Sequence, residues 1–137
     1  MLRQAGKFWQ LFFFFCVGGF AYISIETLFR GYSHFSMFVA GGLCFLFMGQ
    51  IKKEYAIVTR MLIAVAIITG IELVTGIIVN RIMGLSVWDY SLQQYNVYGQ
   101  ICLLFSNLWF VLSLPAIISY DYLQYYLVGG EKPSYHL

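Results

Sequence analysis

Four apolar runs, separated by short polar breaks, organise the chain: residues 8–28, 35–51, 56–79 and 98–119, each to within a few positions. Each comes close to the roughly 17–25 residues that carry a helix across a bilayer. Only a helix satisfies its own backbone groups within one such segment, so the pattern predicts helices and not strands. The second run is short and holds Gly41, Gly42 and Gly49, and Pro115 predicts a kink in the fourth. The breaks at 31–34 and 52–55 predict tight turns. The break at 81–97 is longer and dense in aromatic and polar residues. After the fourth run, Tyr122, Tyr125 and Tyr126 suit a helix end at the membrane interface, where an apolar ring carries a wet hydroxyl. The expected architecture is all-α: a polytopic four-helix transmembrane bundle over residues 1–127, with an outer loop between helices three and four. Residues 128–137 are expected to form a cytoplasmic tail without order.

Composition agrees with lipid as the solvent. Of 137 residues, 61% are apolar and 10% charged, against about 45–50% and about 25% in ordinary soluble domains. A soluble domain of this size buries only about two-thirds of its chain surface and could not hide so much apolar area. The net charge of +2 gives no reason to expect nucleic acid. Arg3 and Lys7 precede the first run as in a secretory signal, but that run exceeds the roughly 7–15 residues of a signal core and no small-x-small site follows. It is read as a retained helix. Basic residues set the orientation: Arg3, Lys7, Lys52, Lys53, Arg60 and Lys132 fall on the side of the N-terminus, and only Arg30 and Arg81 on the other. Positive charge collects in the cytoplasm, so both termini are expected there.

Cys16, Cys44 and Cys102 each sit inside an apolar run without metal-ligand spacing, and read as small buried hydrophobes. His34 and His136 have no ligand-type neighbours. No cofactor or metal is expected. The chain holds no G-x-x-x-x-G-K-[ST] phosphate loop and no G-x-S-x-G or H-E-x-x-H arrangement.

Ionisable residues within a span are costly and should face the bundle interior or water. Glu26 and Glu72 fall near the outer ends of helices one and three. Gly19, Tyr22, Glu26 and Arg30 share one face of the first helix, and Glu26 and Arg30 stand i,i+4 apart. Thr69, Glu72, Gly76 and Asn80 share a face of the third; Asn96, Gln100 and Asn107 nearly do on the fourth. These stripes could be interhelical hydrogen bonding that fixes packing, or the lining of a polar cavity open to the outside. The number of polar groups favours the cavity. Glycines 18, 19, 41, 42, 70 and 76 read as close-packing points.

Between helices three and four the chain reads Trp88-Asp89-Tyr90-Ser91, then Asn96, Gly99 and Ile101-Cys102-Leu103. This W-D-Y-S-x4-N-x2-G-x-I-C-L pattern resembles the signature of the bacterial family labelled putative ABC-transporter permease, type IV. Glu72, with Leu73 and Thr75, resembles that family's glutamate in the preceding helix. The likeness is good from about residue 70 to 114. It weakens in the first half, where the family's Gly-Trp-x-x-Glu appears only as Gly19 and a displaced Glu26. The resemblance implies a multi-pass bacterial cell-membrane protein with a transport role. Four helices are too few to enclose a path alone, so a homo-oligomer or other membrane subunits would be needed, and any ATPase would be a separate chain. Read without the family, Trp88 and Tyr90 are interfacial rings and Asp89 and Ser91 shape a turn. The loop is either a cap over the outer cavity or a structural loop.

The leading expectation is a membrane binding or transport component whose ligand meets Glu26, Arg30, Glu72, Trp88, Asp89, Asn96, Gln100 and Asn107. Two acids against one or two arginines suit a cation, a zwitterion or a lipid headgroup. The alternatives are a structural or regulatory subunit without a ligand of its own, and a small intramembrane enzyme using Glu72 as base.

Overall fold

In a computed structural model, which describes residues 2–137, the four runs form helices α1 (Lys7–Arg30), α2 (Phe35–Gly49), α3 (Ile57–Gly76) and α4 (Leu103–Leu123). Helices α3 and α4 continue as π-turns over Ile77–Ile82 and Gln124–Val128. Three of the helices are long and apolar enough to cross a membrane, and α2 is shorter at 15 residues, about 22 Å at 1.5 Å per residue. The molecule is an all-α membrane bundle. Phe20, Leu62, Val74 and Val111 stand exposed within the helices, the outward apolar surface that lipid requires.

The fourth helix starts later than the apolar run predicts. Residues 98–102 belong instead to a hairpin, in which β1 (Asn96–Val97) pairs antiparallel with β2 (Ile101–Cys102). Tyr98 and Gly99 turn it with φ of 54° and 70°, and the Gln100 N–H bonds to the Val97 carbonyl at 3.0 Å. Two consecutive positive φ values are the signature of a type I′ turn. A short apolar stretch does not by itself distinguish strand from helix, which is why the pattern ran through it. Asn96 and Gln100 therefore do not lie on a face of α4.

Helix α2 is the centre of the bundle. It packs along α1 and also touches α3 and α4, whereas the backbones of α1 and α4 stay apart. Glycine makes the α1–α2 approach possible: a Cβ at Gly18 would fall 2.3 Å from the Phe45 Cβ, and one at Gly41 would fall 2.5 Å from the Tyr22 Cβ. Phe14, Phe45, Met61, Ala64, Ile68, Ile117 and Tyr120 form the main core.

At the end of the bundle that carries the termini, Arg60 of α3 and Asp121 of α4 are both almost fully buried and form an ion pair at 2.9 Å. Lys53 lies 3.7 Å from the same carboxylate and donates to the Gln124 side-chain carbonyl. Beyond Val128 the chain is neither helix nor strand, yet it is anchored. Tyr135 donates its hydroxyl to Asp121 at 3.0 Å, and the Ile57 N–H bonds to the His136 carbonyl at 2.8 Å. Burial and the Asp121 charge push the Tyr135 hydroxyl well above the usual tyrosine range, which keeps it a donor. The sequence offered no reason to expect this anchoring.

Candidate functional site

At the opposite end, where the 83–102 loop sits, the polar residues of α1 and α3 come together. Glu26 and Arg30, one turn apart on α1, form an ion pair at 3.1 Å, although the Arg30 Nε–H is not aimed along a hydrogen bond. The guanidinium reaches outward instead. Its Nη2 donates to the Val87 carbonyl at 2.9 Å, and it lies 4.7 Å over the Tyr32 ring. Arg30 thus ties α1 to the loop.

Glu72 is placed differently. It is buried on α3, and its Oε2 accepts the indole N–H of Trp109 of α4 at 2.7 Å. Among the described residues, none of the ion pairs includes it. A buried carboxylate in a span ordinarily has a partner of opposite charge or water. The side chain borders a chamber of about 10 Å³ walled by Tyr22, Met37, Cys44, Ile68 and Trp88, which is room for about one water. Glu26 lies close enough for its charge to act on Glu72.

The loop closes this chamber from above. Asn80, in the π-turn after α3, accepts from the Val87 and Trp88 backbone N–H groups at 2.6 and 3.4 Å and donates to the Gln100 Oε1 at 2.8 Å. The Trp88 indole donates to the Gln100 carbonyl at 2.9 Å, and its ring is buried against Met37, Val79 and Val87. Gly76 leaves room for this docking, since a Cβ there would fall 2.5 Å from the Gln100 Oε1. Asp89 accepts the Ser91 N–H at 2.8 Å, and those Ser91 donors hold its exposed carboxyl below the usual range. Asn96 accepts the Gly99 N–H at 3.0 Å and donates to the Gln93 carbonyl at 2.8 Å. Tyr90 stacks on Phe105 with centroids 4.8 Å apart, and burial, with the Glu72 and Glu26 charges, pushes its hydroxyl up.

Of the residues expected at the site, Glu72 and Trp88 line the chamber, while Glu26 and Arg30 pair with each other on α1 and Arg30 reaches the loop at Val87. Gln100 is buried beside them but uses its side chain to hold Asn80 and the Tyr98 carbonyl. Asp89 and Asn96 shape the loop from outside, and Asn107 is exposed on α4 away from the cluster. Sequence reasoning missed Trp109. A tryptophan within a span, and not at its interface, needs an acceptor for its N–H, and Glu72 lies on the neighbouring helix. It also passed over Asp121 as a partner for Arg60, though these are opposite charges near the same end of two adjacent helices.

A second opening lies below the chamber. A groove of about 430 Å³ runs between α1 and α4, floored by Gly41, Cys44 and Met48 of α2. Two aromatic pairs bridge the helices beside it: Tyr22 meets Trp109 edge-on at 5.5 Å, and Phe14 stacks on Tyr120 at 4.4 Å. The cavity expected as polar is thus two spaces, a small chamber holding the carboxylate and a larger apolar groove beneath it. Tyr22, Cys44 and Ile68 line both.

A family model described as putative ABC-transporter type IV matches residues 10–129, and so extends through the first half of the chain as well as the loop between α3 and α4. No curated protein and no solved structure matches the chain.

Proposed function

The chain belongs to the putative ABC-transporter type IV family, and from that membership we propose that it is a transport-related membrane subunit whose loop-end cluster binds a cationic or zwitterionic group. The observation that carries this reading is Glu72, a buried carboxylate held by one indole N–H and, among the described residues, by no cation. Glu26 is balanced by Arg30, so Glu72 is the carboxyl of the cluster left without a counter-charge among the described residues. A ligand ammonium near it would supply the missing counter-charge, and Arg30 would receive the anionic half of a zwitterion. The positive charge distribution supports placing this end outside and both termini in the cytoplasm of a bacterial cell. The bundle is too small to enclose a path, so transport would need further copies or other membrane subunits, with an ATPase on a separate chain.

Thermal unfolding in nanodiscs tests this, with ethanolamine and choline as probes. They should stabilise the wild type and leave Glu72→Gln unmoved, because Gln keeps the shape and the Trp109 bond but not the charge. Equal responses in the two proteins would remove Glu72 from the site. A structural subunit is the competing reading, supported by the loop's internally satisfied hydrogen bonds. It requires that neither protein respond and that the Gln variant lose about 1 kcal/mol or less, the scale of membrane hydrogen bonds.

A further inference from the structure

We infer that the groove between α1 and α4 holds the hydrocarbon chain of an amine-headed amphiphile taken sideways from the surrounding bilayer, with its head directed at Glu72. The inference rests on the reading of the Glu72 cluster and adds the class of molecule and its route.

The shape of the groove argues for a chain. Its lining is apolar apart from a few hydroxyls, and its volume of about 430 Å³ falls in the roughly 300–1,000 Å³ range of small-molecule sites. The rim residues Ala21, Leu112, Pro115 and Ser119 are exposed on the outer surface of the bundle, so the opening faces lipid. Its lining sets its length. At about 1.5 Å per residue, Val17 to Ile25 rises about 12 Å on α1 and Trp109 to Leu123 about 21 Å on α4. One leaflet of a hydrocarbon core about 30 Å thick is of that height. A partner helix would have to run the full thickness, and the Tyr22–Trp109 and Phe14–Tyr120 bridges interrupt any such seat. A flexible chain inserted between the bridges meets no such obstacle.

Charge fixes the direction of the molecule. On α4 the lining begins at Trp109, and Trp109 is the residue that holds Glu72. A chain lying in the groove therefore ends one aromatic layer from a carboxylate without a cation. An ammonium there would replace the Trp109 N–H or share the carboxylate with it. At the other end of the groove the charges of Arg60 and Asp121 are already paired, so the head has one place to go.

The test uses the protein in phosphatidylglycerol nanodiscs, whose lipids carry no amine, with dodecylamine carrying a photoreactive group at mid-chain, and dodecanol carrying the same group as control. The amine probe should label groove residues such as Ala21, Leu112 and Ala116 in preference to the lipid-facing Leu62 and Val74. The alcohol should label both sets alike. Ala116→Trp fills the groove and Ser119→Phe obstructs its exposed rim, the latter with little risk to folding. Either should abolish the preference. Glu72→Gln should weaken it by about tenfold or more, the worth of one charge-assisted hydrogen bond. Uniform labelling by the amine, or labelling that survives both groove variants, overturns the inference. So does a disulfide-linked dimer of high yield from Ser119→Cys, which would make the groove a seat for a second copy. If ethanolamine still stabilises the wild type while groove labelling is absent, the groove fails and the Glu72 cluster stands. If groove labelling is strong but indifferent to Glu72→Gln, the chain site remains without its amine and the inference as stated falls, while the Glu72 reading stands or falls on the ethanolamine response.

Discussion

The indole N–H of Trp109 on α4 and the carboxylate of Glu72 on α3 meet at 2.7 Å, and this bond is the direct polar link between the two helices at the loop end. Trp109→Phe keeps a ring against Tyr22 but strips the carboxylate of its donor. A buried acceptor left without a partner costs about 1–3 kcal/mol. The expected order of stability is wild type, then Glu72→Gln close behind, then Trp109→Phe. Urea or thermal unfolding in one detergent would measure it, and a Phe variant as stable as the Gln variant would mean that water or another group already serves Glu72.

The Arg60–Asp121 pair should behave as a unit. Asp121→Ala leaves a guanidinium of 1% exposure without its counter-charge, for which about 3–5 kcal/mol is expected. The apolar double variant Arg60→Met/Asp121→Leu should lose much less than the sum of the single changes. A double-mutant cycle with additive losses would show that the two charges are solvated separately.

Loop order should depend on pH through Asp89. Its carboxyl sits below the usual range in the folded protein because the Ser91 donors hold the charged form. A depressed folded value contributes stability above the unfolded value, near 3.9 for aspartate, and that stability is lost as pH falls through the folded value. Hydrogen exchange at the Ser91 amide, corrected for intrinsic pH dependence, should show protection at neutral pH that fades below about pH 4. Asp89→Asn should show no such fading. A wild-type profile as flat as that of Asn would sink the assignment.

Docking of the loop is expected to be separable from the bundle. Gly76→Ala places a methyl group 2.5 Å from the Gln100 Oε1 and 2.9 Å from its Cβ, and must lift the loop or bend α3. Faster amide exchange over residues 86–100 with unchanged helical circular dichroism is the expected result. Lost helix content would instead make the loop part of the folding core.

Topology can be checked in intact cells. With Cys16, Cys44 and Cys102 replaced, cysteines placed at Ser86 and Ser134 should react with an impermeant reagent from opposite sides, Ser86→Cys from outside. Labelling of both from outside would refute the arrangement with both termini in the cytoplasm.

Hydrophobic length and charge spacing were enough for the sequence to determine the class of molecule, because they reflect a solvent and not a partner. Runs near bilayer length must be helical in lipid, so α1 and α3 appear close to where the pattern put them. The Glu26–Arg30 pair was legible for a related reason, since both residues lie on one helix and i,i+4 geometry is local. The W-D-Y-S motif was legible as turn chemistry. What it docks against was not, because Asn80 and Gln100 meet it through the hairpin and the π-turn. Those two features depend on φ values and hydrogen bonds that apolarity does not encode. The pairings that span helices, Trp109 with Glu72 and Arg60 with Asp121, were decided by tertiary structure alone. So was the groove between α1 and α4. It exists because glycines bring α1 tightly onto α2 and so away from α4, and a space between two helices is a property of their separation that neither sequence stretch contains.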